Sequence, residues 1–407
     1  MMEKLLHIFN PWHDMALANF TPYFKVSSEI LRMSRDLCFL PAWYASDDAY
    51  VRIHDKRIVE SFIGQVFNFK EFDSQMFVEK CFSSNVVMPW GWSPALVNLL
   101  LKDGMDSRLL PDGEKLDRIR FLSGRQRCVD VLSDLSAVGG TCGKTFCCYS
   151  IDDVKNYLQI YLKLMLKAPW SGSGRGLCRI ASDTWNENKE GWASRVLRSQ
   201  GCIMAEPVYN NVCDFAMEFY SSTDGKVSFA GYSLFETDDF GNYKQNILMS
   251  DGGIESHLLS YNIPVATLQE VRNHLIDILE NMIDGCYVGY FGVDMMLCLQ
   301  DDNVLVHPCV EINMRMNMGV LSRIIYDRYL SPSSYGIFVI EHYNSDGEAV
   351  CSHRQLNELY PLCFDDRRRL SSGYITLTPV FPYTRYQAYI IVGKSWLPKP
   401  LPNKCPS

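Results

Sequence analysis

Short apolar runs alternate along this chain with polar stretches that carry glycine, asparagine or proline. Residues 4–9, 37–40 and 86–89 are short, mostly apolar runs, the pattern of strands buried on both faces of a parallel sheet, and each leads through a loop into a helix-like stretch. Ser93-Pro94 is a cap residue followed by proline at the first helical position, and it starts a helix through the apolar-rich residues 95–100. Residues 1–110 are therefore expected to form an open α/β layer. Residues 111–345 carry a helix-like stretch at 129–135, strand-like runs at 145–149, 161–167 and 201–209, and a strand pair at 292–299 and 304–313. Residues 346–407 read as a C-terminal extension with a helix-like stretch at 354–359 and strand-like runs at 374–380 and 386–392. Its last ten residues, with prolines at 398, 400, 402 and 406, are expected to fray. The fold class expected is α/β followed by α+β.

Polar residues break this pattern most informatively in the strand pair. On an extended chain Glu311, Asn313 and Arg315 share one face while Val310, Ile312 and Met314 share the other. Gln300-Asp301-Asp302-Asn303 reads as a hairpin turn, and a two-residue loop at Asp302-Asn303 sets Asp294 directly opposite Glu311. Carboxylates about 5 Å apart repel unless a cation lies between them. Asp294, Glu311 and Asn313, with positions left open for phosphate oxygens, suit Mg²⁺. The alternative is a strand pair whose polar edge faces solvent, with Pro308 placed where it can insert a bulge and shift the register.

Further polar groups lie upstream. Lys167 ends the strand-like run 161–167 and supplies a point charge for a phosphate oxygen. After it comes Ser171-Gly172-Ser173-Gly174-Arg175-Gly176, a glycine-rich turn whose backbone N–H groups can face an anion. Residues 201–209 end in Glu206-Pro207-Val208-Tyr209, which can present backbone groups to a planar base while Glu206 accepts from an exocyclic amine. Asp214 is positioned to accept from ribose hydroxyls.

The order Lys167, glycine-rich loop, Glu206 at a strand end, Asp294, then Glu311-x-Asn313-x-Arg315 resembles the ATP-grasp superfamily over roughly residues 111–345. The resemblance implies a two-subdomain ATP-grasp fold behind a pre-ATP-grasp-like N-terminal domain, with ATP and Mg²⁺ as cofactors. It implies Lys167 on the α- and β-phosphates, Ser171 to Gly176 over the β- and γ-phosphates, Glu206 to Tyr209 as adenine hinge, and Asp214 at the ribose. Asp294, Glu311 and Asn313 become the magnesium ligands, and Arg315 steadies the transferred phosphoryl group. Arg125 stands where the family often has a further lysine, and Asp294 and Asp214 replace the more usual glutamates or histidine. The activity implied is an ATP-dependent ligase: a carboxylate is activated as an acyl-phosphate for attack by an amine, a thiol or another nucleophile, and ADP and phosphate are released. A kinase on the same fold and a nucleotide-binding module without turnover are the competing readings. Family habit implies a possible homodimer.

Ligands of open α/β sheets gather at the carboxyl ends of the strands. That places His13, Asp14 and Asn19, with Trp90 or Trp92 stacking, as candidates for binding a small-molecule or peptide substrate. Lys244 and Asn246, beside the polar tip of residues 238–243, are further candidates. Gly139-Gly140-Thr141-Cys142-Gly143-Lys144-Thr145 is one residue short of a P-loop and lies between a helix-like and a strand-like stretch, the reverse of the order a P-loop needs, so it reads as a loop.

Composition narrows the partners. A net charge of −8 without a block of basic residues argues against nucleic acid. No stretch of about 20 apolar residues suggests a membrane span, and the N-terminal apolar run ends too soon, at Asn10-Pro11, for a secretory segment. The 15 cysteines are odd in number and scattered through apolar strands, as expected of buried thiols in a reducing cytoplasm.

Overall fold

The computed structural model describes residues 4–80, 86–172, 176–238 and 243–393, and these form three β-sheets with helices packed on them. The first sheet is parallel, ordered β3-β2-β1-β4, with β1 at Leu5–Ile8, β2 at Tyr50–Arg52, β3 at Phe77–Val78 and β4 at Val86–Pro89. The helix Pro94–Lys102 begins at Ser93, whose hydroxyl accepts from Leu96 N–H. Residues 37–40 depart from the expected strand. They close the helix Ser28–Leu37 and enter a 3₁₀ turn at Leu40–Trp43. Leu37, Cys38, Phe39 and Leu40 are each at most 2% exposed, and burial on every side removes the periodicity that separates a helix from a strand.

The second sheet is antiparallel, ordered β5-β8-β6-β7, with β5 at Phe146–Cys148, β6 at Lys163–Lys167, β7 at Leu177–Ala181 and β8 at Ile203–Pro207. The helices Ile151–Tyr161 and Glu187–Gln200 cover it, burying Val154, Leu158, Ala193 and Val196 against Leu164, Leu166, Ile203 and Ala205. Ser150 and Asp153 make a reciprocal capping box at the first helix, and Gly201 ends the second with φ of +86°.

The third sheet has nine strands in the order β13-β12-β9-β10-β11-β14-β17-β16-β15. They are β9 at Asn211–Ser221, β10 at Val227–Thr237, β11 at Tyr243–Leu248, β12 at Gly289–Gln300, β13 at Asn303–Asn313, β14 at Gly336–His342, β15 at Cys363–Phe364, β16 at Leu370–Thr376 and β17 at Tyr386–Val392. The expected C-terminal extension thus supplies three strands of this sheet. Residues 398–407, where fraying was expected, lie outside the described residues.

The large sheet orients the chemistry. Phe215, Met217 and Phe219 of β9 and Phe291, Val293, Met295 and Leu297 of β12 are all at most 1% exposed and pack on the helix Val265–Ile283. Alternation then turns the residues between them to the opposite face. A second core runs from the first sheet into the large one, joining Phe39, Trp43, Phe62 and Phe77 to Leu321, Phe338 and Ile390, and Trp43 Nε1 donates to the Leu377 carbonyl at 2.7 Å. Among the described residues no helix is long and apolar enough to cross a membrane.

Candidate active site

Opposite the core, three cross-strand rows build an acidic surface: Glu218, Gly292 and Asn313, then Ala216, Asp294 and Glu311, then Asp214, Met296 and His307. Asp294 and Glu311 are direct partners, reached by a different route from the one the turn residues suggested. The loop is Asp301-Asp302, closed by Gln300 and Asn303, with φ of 46° and 63°, the positive pair of a type I′ turn. That loop alone sets a different register. Pro308, Cys309 and Val310 then oppose the single residue Met295, and this bulge, at a residue with no N–H for the ladder, restores the pair.

Burial lifts the Asp294 carboxyl to about 7, with the Glu311 charge adding to it, and Asn313 Nδ2 donates to Asp294 Oδ2 at 2.9 Å. Two carboxylates and an amide meet here. Among the described residues, no group of three or more acidic, histidine or cysteine side chains is arranged to hold a metal. So sparse a set fits an ion that completes its shell with water and phosphate oxygens, as Mg²⁺ does. A carboxyl raised in this way is what a buried like-charge pair produces.

Lys167 and Glu206, both almost wholly buried, pair at 2.5 Å across the small sheet. Arg125 joins that sheet to the acidic surface. Its Nη1 donates to Ala168 O at 2.7 Å and Ser171 Oγ at 2.5 Å, and its Nη2 donates to Glu311 Oε2 at 2.6 Å. Tyr209 stands edge-on to His307 with ring centroids 5.1 Å apart. Burial, and then the charge of Lys167, pulls His307 down to about 3, and neither of its ring nitrogens has a partner.

The N-terminal layer closes the other side. Asn10 Nδ2 donates to Gly91 O at 2.8 Å, and Met316 N donates to Trp90 O at 2.9 Å, so the ends of β1, β4 and β13 meet. There Arg315 grips Asp14 with two hydrogen bonds, Nε to Oδ1 and Nη2 to Oδ2, each 2.9 Å. Burial raises the Asp14 carboxyl, but Arg315 and His13 outweigh it and hold Asp14 below its ordinary value. His13 is 1% exposed, with its ring packed so tightly on Gly91 that a Cβ there would collide with it. A cleft between these elements is lined by His13, Asp14, Trp170, Ser171, Glu311 and Asn313.

No family model matches this chain, and no curated protein matches it. Solved structures do. A biotin carboxylase from Campylobacter jejuni, in a βγ-ATP complex, superposes with a TM-score of 0.50 at 12% identity, covering 96% of this chain and 87% of that one. The chain has the ATP-grasp fold. Further similar structures are an N5-carboxyaminoimidazole synthetase from Staphylococcus aureus complexed with ADP (TM-score 0.46, 10% identity, 97% of this chain and 94% of that one) and the biotin carboxylase domain of Hydrogenobacter thermophilus 2-oxoglutarate carboxylase with MgADP, ADP and bicarbonate (TM-score 0.49, 14% identity, 96% and 86%).

Within this ATP-grasp fold, the residues singled out from the sequence divide into two groups. Arg125, Ser171, Asp294, Glu311, Asn313, Arg315, His13 and Asp14 are joined by ion pairs, hydrogen bonds and shared cleft walls, and Lys167 and Glu206 pair with each other on the small sheet. Asp214 lies one row from Asp294 and accepts from Asn211 Nδ2 at 2.7 Å and Thr237 Oγ1 at 2.8 Å. Gly172 and Gly176 flank Ser173, Gly174 and Arg175, which lie outside the described residues. Four candidates are not gathered in. Asn19 is exposed at the far end of the helix His13–Asn19. Lys244 is exposed, 3.8 Å from Glu236. Asn246 is buried and donates to Ser233 Oγ at 2.8 Å, a structural bond. Trp90 is 4% exposed and edge-on to Phe9, so it is core and offers no stacking face.

Glu218 was missed in the sequence. It is 1% exposed, its Oε2 accepts from Asn317 Nδ2 at 2.8 Å, and burial lifts it to about 8. Asn317 also caps the helix Met318–Tyr329 by accepting from Val320 N–H. A Cβ on Gly292 or Gly319 would collide with the Glu218 carboxyl. The available signal was a lone carboxylate within the apolar run of β9, four residues from Asp214 and hence on its face.

Proposed function

We propose that this protein is an ATP- and Mg²⁺-dependent ligase that activates a carboxylate for attack by an amine or another nucleophile. One observation supports the reading: Arg125 pairs with Glu311, and Arg315 with Asp14, beside the Asp294, Glu311 and Asn313 set, while Lys167 pairs with Glu206 on the small sheet that Arg125 also contacts. Lys167 and the turn from Ser171 to Gly176 are assigned to the phosphates, Glu206 through Pro207, Val208 and Tyr209 to the adenine, and Asp214 to the ribose. Asp294, Glu311 and Asn313 would hold the metal, which when bound neutralises charge on the phosphates.

In the proposed reaction a carboxylate oxygen attacks the γ-phosphorus and the bond to the bridging oxygen breaks, so that oxygen leaves with ADP. The nucleophile then adds to the acyl carbon and expels phosphate. Arg315 and Arg125, fixed before substrate arrives, stabilise the charge that develops on the phosphoryl oxygens. Arg125 bonds Ser171, and to the glycine-rich segment that follows Ser171 in the sequence we assign the role of keeping water from the acyl-phosphate. ADP release that requires a carboxylate, together with trapping of the activated acid by hydroxylamine as a hydroxamate, tests this. Release of AMP instead refutes the mechanism.

A further inference from the structure

The cations around the cleft are already engaged. Arg125 holds Glu311, Lys167 holds Glu206, and Arg315 uses Nε and Nη2 on Asp14 and Nη1 on the Met316 carbonyl at 3.3 Å. Beside them His13, 1% exposed, lines the same cleft with neither ring nitrogen in a hydrogen bond. The carboxylate of Asp14 also abuts the start of the glycine turn, since a Cβ on Gly172 would collide with it.

A buried ion pair resists attack from one side. An anion that captured Arg315 alone would strand Asp14 as an unpaired carboxylate, and a cation that captured Asp14 alone would strand the guanidinium. A ligand carrying both charges close together replaces both partners at once and leaves no charge uncompensated. We propose that the acid activated by this protein is an amino acid. It is bound as its zwitterion between Asp14 and Arg315, with its ammonium on Asp14 and within reach of His13, and its carboxylate on Arg315 beside Asn313. Asp14 is then a specificity-determining residue contributed by the N-terminal layer, and Arg315, already in place, exchanges the Asp14 carboxylate for the reacting one only when an ammonium has taken its place on Asp14. This rests on the ligase reading above, because the carboxylate on Arg315 is the one that attacks the γ-phosphorus.

The test is ADP release from the full chain with MgATP and hydroxylamine as nucleophile. The twenty protein amino acids are assayed singly, each against its N-acetyl derivative, which keeps the carboxylate and lacks the charge on nitrogen. At least one amino acid is expected to exceed its N-acetyl form in kcat/KM by about 100-fold or more, a floor below the roughly 10⁴-fold that a site built around a polar partner can reach. Asp14→Asn is expected to erase most of that ratio, and Asp14→Glu, which keeps the charge, to retain much of it. Thermal midpoints of both variants are read alongside, and should Asp14→Asn not fold, the comparison on the unaltered protein decides. N-acetyl acids or plain carboxylates that release ADP as well as amino acids do, or an unchanged ratio in Asp14→Asn, overturn the zwitterion and leave the ligase standing. Failure of every acid of either kind to elicit ADP overturns both.

Discussion

Replacing Glu218 by glutamine isolates one buried proton. Glu218 is 1% exposed and its carboxyl is lifted from 4.5 to about 8, first by burial. Below about pH 4.5 the group is protonated in both folded and unfolded chains and imposes no penalty. As pH rises from there to about 8, the unfolded chain ionises while the folded one holds its proton, so the folded state loses stability across that window and reaches its full deficit above it. At about 1.4 kcal/mol per pH unit, the deficit approaches about 5 kcal/mol. Glu218→Gln keeps the shape and an oxygen for Asn317 Nδ2 while removing the titration. The variant should match the parent near pH 4 and exceed it by about 3–5 kcal/mol at pH 9, read as the difference in urea midpoints in the presence of a chelator. Identical pH dependence of the two proteins between those limits would refute the reasoning, since it would mean that Glu218 ionises as freely in the fold as outside it.

Asp294→Asn should lower MgATP-dependent ADP release by at least about 100-fold and raise the thermal midpoint at pH 8, because it removes one member of a like-charge pair; a variant that is both slow and less stable counts against this. Lys167→Met leaves the Glu206 carboxylate buried without its partner and should cost about 3–5 kcal/mol in a urea titration, with most of the loss recovered when Glu206→Gln is added. Asp302→Gly relieves a non-glycine residue at φ of 63° in the β12–β13 turn and should stabilise the protein by about 0.5–1 kcal/mol without changing turnover.

The sequence was most legible where a short-range rule controls the geometry. Alternation grouped Glu311 with Asn313 on the face away from Ile312, and hairpin pairing set Asp294 opposite Glu311. The turn was misread by one residue because Asp301-Asp302 and Asp302-Asn303 both offer side chains that tolerate positive φ. The pair survived because the bulge at Pro308 offset the shift. Residues 37–40 were misread for lack of periodicity, and Trp90 because its burial depends on Phe9, a partner in another element. Asn246 was bound to Ser233 across a strand pair, which local pattern does not encode. Glu218 went unnoticed because its importance comes from the glycines at 292 and 319, far along the chain, that make room for it.

Three buried or half-buried ion pairs link the parts of the site: Asp14 with Arg315, Arg125 with Glu311 and Lys167 with Glu206. They fix the cations in place before any ligand arrives, so little side-chain freedom remains to be lost on binding. They also make binding an exchange. Under the proposed reading, a metal that took Glu311 without a nucleotide would strand Arg125, and a triphosphate that took Arg125 without a metal would strand Glu311 beside Asp294. Metal and nucleotide together satisfy both. On the same reading, the logic at Asp14 and Arg315 favours a substrate of paired charge, so the ion pairs that hold the cleft walls together would also select what enters between them.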